Sequence, residues 1–232
     1  MLLLAFETSA KAASVALFEG EKLLGESYQL TGLTHSQTLM VMAEDLLKQC
    51  SHQPGDVTHV AVAAGPGSFT GVRIGVAAAK GFAWGKEIPC FGVSTLEAMA
   101  RGLGLCEGYI CCAMDARRSQ VYNAVFQAKN WEITRISEDR AISLEDLGKE
   151  LAALEGPVYL VGDGAALCAR SLPGLDLRLP PEHRQHQRAL GVGLAAIQQY
   201  RAGEAGDAAA LSPNYLRLSQ AERERLEREN KK

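Results

Sequence analysis

The second half of this sequence repeats the first half at a shift of 108 residues. The shift aligns Ala5 with Ala113 and Glu7 with Asp115, so that an acidic residue ends the opening strand of each half. In both halves, three strand-like segments precede a helix, a further strand, a Gly-x-Gly turn and a second helix. A chain of 232 residues also has ample room for a packed core in one or two domains. The repeat therefore predicts two related α/β lobes.

The predicted elements follow the same order in both halves. In the first half they are strands at 2–8, 12–18, 23–30, 60–64 and 88–95, and helices at 36–50, 70–84 and 96–102. In the second half they are strands at 109–115, 120–127, 131–136 and 158–162, and helices at 144–154 and 187–200. This duplicated β-β-β-α-β-α unit is the expected layout of the actin-like ATPase (ASKHA) fold, in which two lobes surround a cleft.

The predicted boundary between the lobes lies at the glycine pair Gly102 and Gly104, which suits a hinge. The lobes then cover residues 1–103 and 104–232. From about residue 219 the sequence alternates Glu with Arg and Lys, which is typical of a solvated helix or a frayed tail.

The helix predicted at 70–84 carries a stripe of small residues. Thr70 is its expected N-cap, and Gly71, Gly75 and Ala79 follow at intervals of four, so they share one face. Glycine inside a helix costs roughly 0.5–1 kcal/mol relative to alanine, so the stripe requires a reason. Glycine lets a neighbouring helix approach closely. The stripe predicts such a neighbour, either within this chain or on a separate chain.

The helix predicted at 36–50 is apolar over more than one stripe. Leu39 and Leu46 lie on one face, and Met40 and Val41 extend the apolar surface around the helix. Such a helix is expected to be covered on more than one side.

Neither common nucleotide-binding loop is present after the strand at 60–64. A P-loop needs lysine after Gly71, where Val72 stands, and a dinucleotide fingerprint needs glycine at the position of Thr70. The sequence is still compatible with a generic anion site, formed by backbone N–H groups where these turns lead into helices. The candidate nucleotide or anion contacts are Glu7, Thr8, Gly65, Gly67, Ser68, Gly162 and Gly164.

The composition indicates a cellular compartment and makes some classes of binding partner less expected. The net charge of −3 gives no general attraction to nucleic acid or anionic membranes. The six cysteines have no Cys-x-x-Cys spacing, which indicates buried thiols in a reducing compartment. The first residues resemble neither a signal peptide nor a membrane span. We therefore expect a cytoplasmic protein without a membrane partner.

Four motifs resemble the bacterial TsaB (YeaZ) family of tRNA threonylcarbamoyladenosine biosynthesis. They are Gly-Pro-Gly-Ser-Phe-Thr-Gly-Val-Arg-Ile-Gly at 65–75, Thr-His-Ser at 34–36, Gly-Val-Ser-Thr-Leu at 92–96 and Ala-Met-Asp-Ala-Arg at 113–117. The Pro-Asn-Tyr-Leu-Arg segment at 213–217 also fits. The resemblance covers about residues 1–127 and returns near 213, and its first motif is long and specific.

The resemblance implies a non-catalytic scaffold and activating subunit. Members of this family pair with the paralogous catalytic protein TsaD, which carries the metal, and a TsaE-type ATPase joins them. The complex places a threonylcarbamoyl group on the adenosine next to the anticodon of tRNAs reading ANN codons, so tRNA is met through the complex. A homodimer is expected when the chain is alone. No cofactor is expected in the isolated chain, whereas ATP or ADP is a candidate at the complex interface.

The implied partner surface is built from the helices at 36–50 and 70–84. Its candidate residues are His35, Leu39, Met42, Leu46, Thr70, Gly71, Arg73, Ile74, Gly75, Ala78, Ala79 and Phe82. Arg73 lies in the first turn of its helix, where a cation opposes the helix dipole. We therefore expect a carboxylate or a phosphate to hold Arg73. His35, one residue before its helix, suits either a cap or the interface.

The chain lacks two features that catalysis would require. The catalytic paralogue is expected to bind its metal with His-x-x-x-His, and no histidine pair here has that spacing. Actin-like ATPases offer Asp-x-Gly after the first strand, where this chain has Glu7-Thr8-Ser9. We therefore assign no catalytic and no metal-binding residues. The rival interpretations are a self-sufficient ATPase or kinase and a metallopeptidase-like hydrolase.

Overall fold

Two mixed β-sheets, each with helices on both faces, form the chain. A computed structural model describes residues 1–105, 107–204 and 206–217. The tail predicted from about residue 219 lies outside these residues. Within them, no helix has the length and apolar character needed to cross a membrane.

The elements follow the predicted order, with two short strands and one short helix to which the prediction gave no bounds. The first half contains β1 (Leu2–Glu7), β2 (Ala13–Glu19), β3 (Lys22–Gln29), α1 (His35–Gln49), β4 (His59–Gly65), α2 (Phe69–Ala83), β5 (Cys90–Ser94) and α3 (Thr95–Leu103). The second half contains β6 (Glu107–Asp115), β7 (Gln120–Lys129), β8 (Glu132–Arg135), β9 (Arg140–Ser143), α4 (Leu144–Ala152), β10 (Val158–Val161), α5 (Ala165–Ser171), β11 (Leu177–Arg178) and α6 (Ala189–Arg201). The sequence did not reveal β9 and β11, which have four and two residues.

The two sheets have the same strand order, which confirms the predicted duplication and the actin-like fold. The first sheet runs β3-β2-β1-β4-β5 and the second runs β8-β7-β6-β10-β11, with β9 also paired to β7. In each sheet the first three strands are antiparallel, and the fourth strand pairs parallel to the first. The carboxyl ends of β1, β4, β6 and β10 therefore supply the loops between the two halves.

Each half contributes one helix to the other half's sheet. Helices α1 and α2 cover one face of the first sheet, and α6 covers its other face with Ala189, Val192 and Ile197. Helix α3 instead packs on the second sheet through Leu96 and Met99. The strands divide between the sheets near residue 104, whereas these two helices cross that boundary.

Side chains of the first half hold the beginning of α6. The Ser14 hydroxyl accepts a hydrogen bond from the Ala189 N–H at 2.7 Å, and Glu26 accepts one from the Leu190 N–H at 3.1 Å. Glu26 also pairs with Arg188, and its side chain is only 7% exposed. These bonds satisfy backbone groups that a helix start leaves unpaired and place a carboxylate where the helix dipole favours it.

The predicted N-cap of α2 was wrong. Ser68, rather than Thr70, caps α2, because its hydroxyl accepts a hydrogen bond from the Gly71 N–H at 3.3 Å. The glycine pair predicted as a hinge lies at the end of α3: Gly102 is in its last turn, and Gly104 ends the helix in the left-handed conformation.

The glycine stripe of α2 faces a strand end of the same chain, so the predicted helix partner was wrong. A Cβ atom at Gly71 would overlap the Thr8 carbonyl, and one at Gly75 would lie 2.5 Å from the Thr8 hydroxyl and 3.1 Å from Val62. Ala79 is fully buried in the same core. The stripe therefore lets α2 approach β1 and β4 closely.

We expect Gly71→Ala to destabilise the protein by about 1–3 kcal/mol, because the added methyl group must displace backbone at Thr8. Gly81 is a matched control on the same helix, since a Cβ there meets open space. Gly81→Ala should stabilise the protein by up to about 1 kcal/mol through better helix propensity. Urea unfolding followed by circular dichroism measures both changes. Equal effects of the two substitutions would contradict this packing.

Candidate functional site

A cleft of about 420 Å³ lies between the two halves, where four strands end. The loops after β1 and β4 form one side, and the end of β6 and the turn after β10 form the other. The lining residues are Ser9, Ala10, Lys11, Pro66, Gly67, Ser68, Phe69, Met114, Asp115, Ala116, Arg117, Tyr122, Asp163, Asn214, Tyr215, Leu216 and Arg217. Ligands of open α/β sheets commonly bind at such carboxyl ends.

The glycine turn of the first half is packed against the chain itself. A Cβ at Gly67 would lie 2.5 Å from the Ser9 carbonyl, and the Ser68 N–H donates a hydrogen bond to that carbonyl at 2.7 Å. Gly65 has a φ of +121°, and a side chain there would overlap the Asn214 carbonyl. Gly67 and Ser68 thus line the cleft, but the Ser68 N–H is already used within the protein.

The turn of the second half has a similar role. The Gly164 N–H donates to the Ala113 carbonyl at 3.0 Å, and a Cβ at Gly162 would overlap the same carbonyl. Neither glycine is among the cleft-lining residues. Between them, Asp163 reaches the cleft and accepts a hydrogen bond from the Asp115 N–H at 3.4 Å. Partial burial, with Asp115 beside it, raises the pKa of Asp163.

Glu7 and Thr8 do not line the cleft, contrary to their assignment as candidate anion contacts. Both are fully buried. Glu7 Oε1 accepts a hydrogen bond from the Ser9 N–H at 2.5 Å, and Oε2 has no partner among the described residues. The Thr8 hydroxyl donates to the Gly71 carbonyl at 2.8 Å, which fastens α2 to the end of β1. Their roles here are structural.

Charges of both signs line the cleft. Lys11, Arg117 and Arg217 supply cations, and Asp115 and Asp163 supply carboxylates. Among the described residues, no cluster of three His, Cys, Asp or Glu side chains is placed to hold a metal ion. The chemistry present suits an anionic ligand held by guanidinium and ammonium groups.

A second candidate site is the outer surface of α1 and α2, which lie side by side on the first sheet. Met40 and Val41 on α1 are 43% and 56% exposed, and Trp84 at the end of α2 is 85% exposed. Leu33, just before α1, and Ala77 on α2 are also exposed. We name Leu33, Met40, Val41, Ala77 and Trp84 the α1–α2 face. Exposed apolar surface of this kind commonly marks a protein contact.

The predicted interface residues fall into two groups. Half of them belong to the core of this chain, so their side chains cannot face a partner in this fold. The buried residues are Leu39, Met42, Leu46, Gly71, Gly75 and Ala79. The residues that keep exposed surface are His35, Thr70, Arg73, Ile74, Ala78 and Phe82.

Arg73 and His35 both make contacts within this chain, and the expected contact of Arg73 with a carboxylate or phosphate stays a prediction. The guanidinium carbon of Arg73 lies 3.8 Å from the Phe69 ring centre. The Nε of Arg73 donates to the Tyr215 hydroxyl at 2.6 Å. His35 is the first residue of α1, and its Nε2 lies 2.8 Å from the Ala10 carbonyl oxygen.

Sequence reasoning gave no role to several residues of these two sites. Asn214 and Tyr215 were noted only as part of a matching motif, and Trp84 only as the end of a helix. Lys11 and Asp163 line the cleft, but no local sequence pattern predicts this position for either residue. The available signal was the Pro-Asn-Tyr-Leu-Arg motif at 213–217, which returned after a long unmatched stretch.

Sequence comparison finds similarity to proteins of tRNA threonylcarbamoyladenosine biosynthesis. The family model described as "TsaD: tRNA N6-adenosine threonylcarbamoyltransferase" matches residues 29–224. A Bacillus subtilis (strain 168) protein named tRNA threonylcarbamoyladenosine biosynthesis protein TsaB is 33% identical over 98% of this chain and 99% of its own length. The Escherichia coli (strain K12) protein of the same name is 36% identical over 71% of this chain and 72% of its own length.

Solved structures agree in fold over nearly the whole chain. A Pseudomonas aeruginosa protein described as similar to peptidase YEAZ has a TM-score of 0.82 and 26% identity, covering 93% of this chain and 99% of that chain. YeaZ from Pseudomonas aeruginosa has a TM-score of 0.78 and 25% identity over the same shares. EutJ from Carboxydothermus hydrogenoformans has a TM-score of 0.51 and 12% identity, covering 84% of this chain and 90% of that chain. At this identity the likeness concerns the fold alone.

The buried carboxyl of Glu7 should make stability depend on pH. Burial, opposed in part by hydrogen bonds from Ser9, raises its pKa from 4.5 to about 7. Between these values the folded state holds a proton that the unfolded chain releases. The resulting stabilisation is complete below the unfolded pKa of 4.5 and is lost as the pH rises through the folded pKa of about 7.

Glu7→Gln keeps the group neutral at every pH and therefore removes this dependence. The free energy of unfolding of the variant, relative to wild type, should rise by up to about 3 kcal/mol from pH 4.5 to above pH 7. Urea unfolding at several pH values measures it, with Glu19→Gln as the control at an exposed strand end. A difference that stays constant with pH would show that Glu7 does not titrate in this range.

Proposed function

The chain belongs to the TsaB family of tRNA threonylcarbamoyladenosine biosynthesis proteins, and we propose that it is a non-catalytic subunit of the transfer machinery. In this proposal it pairs with a TsaD-type catalytic subunit and helps to recruit a TsaE-type ATPase. The complex modifies the adenosine next to the anticodon of tRNAs reading ANN codons. The chain meets tRNA through that complex, in the cytoplasm.

The α1–α2 face is the observation that carries the proposal. Met40, Val41 and Trp84 are large apolar side chains left exposed on two neighbouring helices. Tryptophan is enriched among the residues that dominate binding energy at protein interfaces. The same face is available for a second copy of the chain, so we propose a homodimer when the catalytic subunit is absent. The catalytic subunit then replaces the second copy.

The inward position of Glu7 supports a subunit without its own phosphoryl-transfer chemistry. The acid at the end of β1 is fully buried and is bonded to the Ser9 N–H rather than directed into the cleft. A carboxylate acts on a metal-bound phosphate only when it reaches that metal. This arrangement disfavours the rival interpretation of a self-sufficient ATPase or kinase.

A nucleotide remains part of the proposal at the junction of the two subunits. We place ATP or ADP at the complex interface, with the catalytic subunit supplying the groups that this chain does not.

Truncating Trp84 should weaken pairing with the TsaD-type subunit. Trp84→Ala is expected to raise the dissociation constant at least tenfold, since a tryptophan that dominates an interface contributes about 2 kcal/mol or more. Trp131 is a matched control, because it is 71% exposed on the second half, away from α1 and α2. Trp131→Ala should pair like wild type. Titration calorimetry of each variant with the catalytic subunit gives the constants.

Solution masses of the chain alone and in the mixture complete this test. A homodimer that becomes a one-to-one complex supports the proposal. If the chain never associates with the catalytic subunit, the proposal is overturned. If Trp84→Ala and Trp131→Ala weaken pairing equally, the α1–α2 face is not the pairing surface.

A further inference from the structure

The segment after α6 returns along the first half to the cleft, and we name residues 213–217 the strap. The Asn214 N–H donates to the Ala64 carbonyl at the end of β4, at 2.6 Å. Just before the strap, Leu211 is buried in the core of the first half, and its carbonyl accepts a hydrogen bond from Lys80 at 3.0 Å. The chain just before the strap is therefore fixed to the first half at Leu211, and the Asn214 bond holds the first residues of the strap on β4.

An aromatic cluster fastens the middle of the strap to the start of α2. The Tyr215 ring stacks on Phe69 with 4.9 Å between ring centres and 26° between planes. Arg73 lies over the Phe69 ring and donates to the Tyr215 hydroxyl at 2.6 Å. Tyr215 nevertheless remains 41% exposed, so this cluster lies at the surface, where it can open without disturbing the core.

The end of the strap reaches across to the second half. Arg217 Nη1 donates to the Ala116 carbonyl at 2.8 Å, immediately after the end of β6. Ala116 and the neighbouring Asp115 and Arg117 line the cleft, as does the strap. The strap thus spans the cleft, with several contacts on the first half and this hydrogen bond on the second.

The strap lies in the same cleft as groups that suit a nucleoside phosphate. Tyr215 occupies one face of Phe69, an aromatic ring in the cleft wall on which a purine base could stack. Lys11 and Arg117 lie in the same cleft, where a phosphate would find cationic donors. With the strap in place the cleft measures about 420 Å³, near the lower end of the ~300–1,000 Å³ typical of ligand pockets.

We propose that the strap is an intramolecular gate on this cleft. Docking of Tyr215 on Phe69 and stacking of a purine base on the same ring face exclude each other, so a nucleoside phosphate whose base stacks on that face binds only when the strap is released. A gate that is closed about nine-tenths of the time lowers the apparent affinity about tenfold. The inference stands on the cleft and does not use the partner face.

Binding of ADP carrying a methylanthraniloyl fluorophore tests the gate in the full chain. Tyr215→Ala should bind this probe about tenfold more tightly than wild type, because the closed state is lost. Tyr215→Phe keeps the ring but loses the hydrogen bond from Arg73, so its affinity should lie between those of wild type and Tyr215→Ala. Tyr200→Ala is the control, since Tyr200 is 47% exposed on α6 and packs against His59 and Phe91, outside the cleft lining.

Hydrogen exchange provides a readout in the wild-type chain. Unlabelled ADP should speed exchange of the Asn214 amide, because releasing the strap breaks its bond to Ala64. Slower exchange with ADP would make the strap a clamp on the ligand and overturn the gate. Unchanged affinity in a folded Tyr215→Ala, or no binding by any variant at millimolar ADP, would overturn it as well. Because partner pairing is measured by mass, its failure is distinguishable from failure of the gate.

Discussion

The crossing of α3 and α6 holds the two halves of this protein together. Gly191 of α6 lies so close to the Ala98 carbonyl of α3 that a side chain there would overlap it, and Gly102 faces Gly191 at the same crossing. Each helix completes the core of the sheet that the other half builds. Because neither sheet is covered on both faces by its own half, the halves form one cooperative unit. The two sides of the cleft are therefore joined by this close packing of α3 and α6.

The sequence predicted the strands and their duplication well because both leave local patterns. Buried strands such as β1 and β4 are continuous apolar runs, and the shift of 108 residues aligns their ends. The exchange of helices leaves no such pattern, since the apolar face of a helix does not specify which sheet it covers. The rule that glycine permits close approach of helices was sound, but it applies at Gly102 and Gly191. The stripe at Gly71 and Gly75 meets a strand end instead.

The candidate site was harder to predict because long-range contacts decide it. Arg73 and Tyr215 are 142 residues apart, so nothing near either one indicates their hydrogen bond. Glu7 ends β1 as an acid in an actin-like chain should, yet whether it enters the cleft depends on how neighbouring elements bury it. Long-range packing also decides which apolar side chains remain exposed. Leu39 and Met40 are adjacent apolar residues of α1, and only Met40 remains exposed.

Helix α2 connects the two sites of this chain. Its first residue, Phe69, lines the cleft and holds the strap, and Trp84 at its other end belongs to the α1–α2 face. A helix of 15 residues spans about 22 Å. The close contacts of Gly71 and Gly75 with Thr8 leave α2 little room to tilt against β1. One helix, held in place by backbone contacts near its start, therefore carries a residue of the cleft at one end and a residue of the α1–α2 face at the other.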